Sequence, residues 1–205
     1  MTASDTYKSQ IAYARLAGFM YLFVIAADIL GMVLASRPDG AGALHRIGLS
    51  SQLIGSLCTV LLAMGLYVAV KPIDNNLALL ALVFRLVEAA GGLQLVSAFD
   101  ESQLPAHATV HSAVHSAAPY VPALFFSAGS TIFFYLFLKS TYIPKVLSVL
   151  GLVGSVLFAI VSFGCLIWPE HAAMLQPGWI PMAVAEISVG LWLLVKGVNV
   201  QPRDN

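Results

Sequence analysis

Apolar runs of about 20 residues recur along this chain with only short polar breaks, and each is long enough to cross a hydrocarbon core of about 30 Å. That feature constrains the fold more than any other. Six runs can be drawn, at about 14-36, 47-70, 77-98, 119-138, 145-168 and 179-198. The breaks carry turn chemistry: "SRPDGAG" at 36, "KPIDNN" at 71, "KSTYIP" at 139 and "PEHAAMLQPG" at 169. The expected fold class is all-α, a polytopic integral membrane bundle of six transmembrane helices forming one domain over 1-205. Loops this short imply antiparallel neighbours in a closely packed bundle.

Composition agrees. Of the 205 residues 59% are hydrophobic and 10% charged, against about 45–50% and about 25% in soluble domains, and no polar block is long enough to fold alone. The formal charge is zero, which leaves no basic patch to attract nucleic acid. The N-terminal run is too long for a secretory signal and carries Asp28, so it reads as the first span. Cys58 and Cys165 lie inside apolar segments far apart in sequence and read as packed thiols.

Seven of the ten Lys and Arg residues, Lys8, Arg15, Lys71, Lys139, Lys145, Lys196 and Arg203, fall on one predicted side, and only Arg37 and Arg46 on the other. By the positive-inside rule both termini are expected in the cytoplasm, with the chain in the cell membrane. Tyr67, Tyr120, Tyr142, Trp168 and Trp179 fall near the predicted interfaces, where aromatic anchors belong. Gly151 with Ser155, Ser51 with Gly55, and "SAGS" at 127-130 put small side chains on single helix faces, the pattern of close helix packing. A rhomboid-type serine protease is disfavoured, because no histidine lies within a span.

Four charged residues do lie within spans: Asp28, Arg85, Glu88 and Glu186. A charge at the bilayer centre costs at least about 2.5–3.5 kcal/mol on insertion scales, so such groups face the bundle interior and find partners. Arg85 and Glu88 are three residues apart and share one helix face. Measured from span ends, the three acids fall near the midplane, so spans one, three and six are expected to meet at one polar centre. Three carboxylates cannot all pair with one guanidinium. At least one acid is therefore neutral, or the site is wet, or it holds a cation. The three readings of such a centre are a ligand- or ion-binding site of Asp28, Arg85, Glu88 and Glu186, an acid for catalysis on a lipophilic isoprenoid or lipid drawn from Asp28, Glu88 and Glu186, and a structural clamp. The first is the leading expectation, with the bilayer, a lipophilic small molecule and a second copy of the chain as expected partners.

All five histidines are expected on the extracytoplasmic side. His107, His111 and His115 form H-x3-H-x3-H after Pro105, which suits a short extracytoplasmic helix between spans three and four. Neighbouring pairs share a face and suit one divalent metal, but the outer two would be about 12 Å apart. A complete metal site would need Asp100, Glu101, His45 or His171 as well. A pH-sensitive or merely polar surface helix accounts for the same residues.

Several stretches taken together resemble one known family. "ARLAGFMYL" at 14, "HRIGLSSQLIG" at 45, "AMGLYVAVKPID" at 63, "LALLALVFRLVEA" at 77, "YIPKVLSVLGLVG" at 142 and "AEISVGLWLLVKG" at 185 resemble the bacterial membrane family known as domain of unknown function 4386. The resemblance implies a small polytopic helical bundle in bacteria, with Arg85, Glu88 and Glu186 on family-like motifs, and supplies no activity. The histidine-rich stretch lies outside the pattern.

Overall fold

A computed structural model describes residues 3–35, 42–91 and 120–199 of the chain. Six long helices account for most of them: α1 (Ala3–Ala35), α2 (Ala43–Val70), α3 (Asn75–Gly91), α4 (Tyr120–Ser140), α5 (Lys145–Ile167) and α6 (Ile180–Lys196). No strand occurs among the described residues. Five segments have the length and apolarity to cross a membrane: Tyr7–Leu34, Ala43–Val70, Tyr120–Ser140, Lys145–Ile167 and Pro169–Lys196. The described part of α3 is 17 residues long, about 26 Å at 1.5 Å per residue; the remainder of the expected third span, 92-98, lies outside the described residues.

Local chemistry sets the helix boundaries. Asp74 opens α3 by accepting hydrogen bonds from the backbone N–H groups of Asn76 and Leu77, both at 3.1 Å, which meets donors a helix start leaves unpaired. Pro144 stands immediately before α5, where its fixed φ and missing N–H cost nothing. Two features go beyond the expected spans. The first helix begins at Ala3, well before residue 14, because the polar segment ahead of the apolar run contains no helix breaker. The break at 169–179 is itself wound into short turns, Pro169–His171, Ala172–Leu175 and Gln176–Trp179, which lead directly into α6.

Each helix packs on the next in the chain, and α6 returns to α1, so the six close into a ring. Contacts at the seams show that neighbours run antiparallel. Along α1 and α2, Gln10 donates to the Ala69 carbonyl and Ser51 donates to the Ala27 carbonyl. Along α1 and α6, a Cβ added at Gly18 would run into the backbone of Leu194 and Gly190, and one at Gly190 would fall 3.0 Å from the Tyr21 Cβ. Only glycine lets two backbones approach that closely. Gly151 meets the Phe134 ring and Ser155 accepts from Thr131 at 2.9 Å, so the small residues of α5 pack on α4 as their spacing suggests.

Burial is inverted relative to a water-soluble bundle. Leu57, Val83, Val153, Ile160 and Val195 are each exposed on the outside, whereas Arg85, Ser130, Ser148, Ser155 and Ser162 are buried within. Lipid is the solvent in which that arrangement is stable, because it receives apolar side chains and cannot satisfy polar ones. The main core gathers Ala14, Ala17, Leu66, Ala69, Phe133 and Leu136, all at 1% exposure or less, and a smaller cluster of Tyr120, Val161 and Cys165 lies toward the other end. Cys58 and Cys165 are both free thiols. The aromatic anchors divide: Trp168 is exposed, but Tyr120 and Tyr142 are buried and Trp179 stacks on Phe158. Their positions at helix ends hold; their side chains turn inward because a ring has an interior to fill.

Candidate functional site

On α3 the buried face is Ala78, Ala81, Leu82 and Arg85, spaced to form one stripe. Arg85 is the largest fully buried side chain among the described residues, 2% exposed. Its aliphatic stem lies over Gly129 of α4, where an added Cβ would fall 3.0 Å from Cγ. Its guanidinium sits 4.7 Å from the centre of the Phe126 ring. Nη1 approaches Glu88 Oε2 at 2.9 Å and donates a long hydrogen bond to Ser130 Oγ at 3.5 Å. The contact with Glu88 lacks hydrogen-bond alignment: Oε2 has no hydrogen-bonded partner, and neither does Arg85 Nε. Charge rather than directed hydrogen bonding holds this pair, and the guanidinium keeps an open donor.

The other two acids come from helices that are not neighbours of α3 in the ring. Asp28 lies on the stripe of Ala14, Ala17 and Tyr21, since seven residues are close to two full turns. It faces α2, where a Cβ on Gly55 would fall 2.7 Å from Asp28 Oδ1. Glu186 lies four residues after Met182 and three before Val189, both buried. Arg85 is within the electrostatic field of Glu88, Tyr21, Glu186 and Asp28, and Glu186 within that of Asp28. The structure therefore brings together the four charged residues singled out in the sequence.

Their depth follows from the seams. Arg85 meets Ser130, the adjacent Thr131 meets Ser155, and the adjacent Gly154 lies against Met182, one turn from Glu186. On α1, Asp28 is seven residues beyond Tyr21; seven residues back along antiparallel α6 from Gly190, which abuts Tyr21, is Ala183. All four charges thus occupy one layer about 5–10 Å thick. Asp28 stands nearer the end of its long helix than the expected midplane, six residues from Leu34 in a segment of 28. The reason is that α1 extends far past the layer at its N-terminal end.

Surface is kept at this level: Asp28 is exposed, Glu186, Phe126, Phe158 and Trp179 are half-buried, and Glu88 is 18% exposed. Beyond the charges stands an aromatic wall: Phe126 and Phe158 meet edge to face at 4.9 Å, Phe158 and Trp179 stack at 5.1 Å, and Tyr120 tilts against Trp179 at 6.4 Å. Trp179 Nε1 is a second buried donor with no acceptor.

Sequence reasoning missed Tyr21, Ser130 and this aromatic wall. Signals for the first two existed: Tyr21 is two turns before Asp28, and Ser130 is one turn after Phe126 in "SAGS", read only as a packing cluster. His107, His111, His115, Asp100 and Glu101 lie outside the described residues. His45 opens α2, and exposed His171 lies 3.3 Å from Glu170.

No curated protein and no solved structure matches this chain significantly. Residues 16–197 match the family described as Domain of unknown function (DUF4386), in agreement with the resemblance carried by the "FRLVEA" and "AEISVG" stretches, and the chain belongs to that family.

Proposed function

We propose that the protein is a single-domain, six-span membrane protein whose interior recess binds a small ligand, ion or lipid, with Asp28, Arg85, Glu88 and Glu186 as the polar contacts. One observation carries this reading. Charged side chains from three helices share one layer of the bundle around buried Arg85, yet Asp28, Glu88 and Glu186 keep accessible surface. A purely structural clamp would favour full closure around the pair, because a half-satisfied buried network costs more than an apolar one. Lys8, Lys71, Lys139, Lys145 and Lys196 share one end of the bundle, which supports both termini in the cytoplasm of a bacterial cell and a recess on the opposite side.

The test is a native mass spectrum of the protein extracted gently from its membrane, for the wild type and for Glu88→Gln and Arg85→Met. A small molecule that travels with the wild type and is lost from either variant is the expected result. The same adduct in all three, or none even after incubation with total lipid extract, would remove the binding site. A chelator-treated sample read in parallel reports on metal at His107, His111 and His115.

A further inference from the structure

The lysine-bearing end of the bundle carries cations that the chain itself leaves unanswered. On the side where the sequence expects seven of the ten Lys and Arg residues it places three acids, Asp5, Asp74 and Asp204. Asp74 is already engaged in opening α3. Lys8, Arg15, Lys139, Lys145 and Lys196 are all exposed, and none of their charged groups has an ion pair or a hydrogen bond among the described residues.

Two of these cations head a stripe on the outside of α1. Lys8 and Arg15 are seven residues apart, close to two full turns, and Phe19 and Phe23 continue the same face at intervals of four. The two rings stack at 6.2 Å and are 50% and 39% exposed, so this face meets lipid rather than another helix. Gly197, just past α6, adds no side chain beside it: a Cβ there would fall 3.9 Å from Arg15 Nε.

Depth then selects the partner. The segment Tyr7–Leu34 has 28 residues, about 42 Å of helix, which matches the hydrocarbon core together with both headgroup regions, about 40–45 Å. Lys8 therefore stands among the headgroups. Arg15 lies about 10 Å further along the axis, below them and on the lipid side. A lipid-exposed guanidinium at that depth reaches back along its own stem toward the interface and draws an anion to itself. A phospholipid phosphate matches its planar fork. A zwitterionic headgroup brings its own ammonium, whereas a headgroup of net negative charge answers Arg15 and Lys8 together. An acidic protein surface would meet Lys8 and stop short of Arg15.

We propose that the outward face of α1 is a binding site for an anionic phospholipid. Lys8 and Arg15 hold the headgroup phosphate, Arg15 from below, and an acyl chain lies along Phe19 and Phe23. The site is separate from the charged layer and stands whether or not that layer takes a ligand.

The experiment is native mass spectrometry of the delipidated protein, titrated in one detergent with dioleoyl phosphatidylglycerol and with dioleoyl phosphatidylcholine. The chains are identical, so a difference in affinity belongs to the headgroup. Phosphatidylglycerol is expected to bind at least about tenfold more tightly. Lys8→Gln with Arg15→Gln should remove that preference, and Lys8→Arg with Arg15→Lys, which keeps both charges, should retain most of it. Lys139→Gln with Lys145→Gln, across the ring, should change it less than about twofold. Phe19→Ala with Phe23→Ala should weaken both lipids about three- to tenfold. Equal affinity for the two lipids, or an undiminished preference in the Lys8→Gln, Arg15→Gln protein, overturns the proposal. So does an equal loss in the Lys139→Gln, Lys145→Gln protein, which would reduce the site to a diffuse field. Free glycerophosphoglycerol bound as tightly as the lipid would remove the acyl contact, and the site with it.

Discussion

The lysine-bearing end of the ring and the end that holds Trp179 are made from the same six helices and close differently. Toward the lysines, the inner faces carry alanine, leucine and phenylalanine, and Ala17, Leu66, Ala69, Phe137 and Leu193 are at 1% exposure or less. Toward Trp179, the ring's inner residues keep surface, although seams between neighbours remain shut at Ser155, Ser162 and Cys165. The charged layer stands at the change. Small apolar side chains let helices meet along their length, but carboxylates that lack partners must keep contact with something polar. The lysine-bearing end is therefore a plug, and the charged layer is the floor at which the described side chains regain surface.

The largest expected effect breaks the floor. Replacing Arg85 by Met leaves Glu88 without its counter-charge and is expected to lower stability by about 3 kcal/mol, the lower part of the range for severing a buried pair. Thermal unfolding in detergent measures it. Adding Glu88→Gln to that variant should recover more than half of the loss, and a double variant no more stable than the single would mean that Arg85 acts through Phe126 and Gly129 alone.

Next comes the plug. Gly18→Leu drives a side chain into the backbone of α6 and is expected to cost about 2–3 kcal/mol, while Gly55→Ala at the floor meets only the swinging carboxylate of Asp28 and should cost less than half as much. Equal melting temperatures for the two would erase the distinction between a closed and an open half.

Accessibility sharpens the same contrast with little effect on stability. In a background with Cys58 and Cys165 replaced by alanine, Phe158→Cys should react with a water-soluble thiol reagent much faster than Phe134→Cys, which is 1% exposed as phenylalanine. Similar slow rates at both positions would mean that the aromatic wall is as dry as the plug.

The smallest effects concern the hydroxyls of α5. Thr131→Val removes the 2.9 Å bond to Ser155 and should cost about 0.6 kcal/mol, an average value for such bonds between membrane helices. Ser162 Oγ is buried without a partner, so Ser162→Ala should be neutral or stabilising. Destabilisation by Ser162→Ala would point to a bound water at that position.

What was legible beforehand depended on the range of the interaction. Arg85 and Glu88 could be paired on paper because three residues fix a helical face whatever surrounds it. The extension of α1 ahead of residue 14 and the winding at 169–179 escape such a reading, because apolarity marks where lipid begins, not where a helix begins. Trp179 was read as an anchor on the strength of its position at a span end. Its stacking on Phe158 depends on how α5 and α6 cross, which no local pattern encodes.

By itself, the sequence determined an apolar helical chain, its antiparallel order, the family to which it belongs, and the four charges that need company. These follow from hydrocarbon thickness, loop length and the cost of burying charge, all of which act locally along the chain. Only the tertiary structure decided that the six helices close into a ring, that Asp28, Arg85, Glu88 and Glu186 share one layer, and that an aromatic wall rises beside them. Those outcomes depend on which helix faces meet, and that is settled by the fit of Gly18, Gly129 and Gly151 against side chains and backbone far away in the sequence.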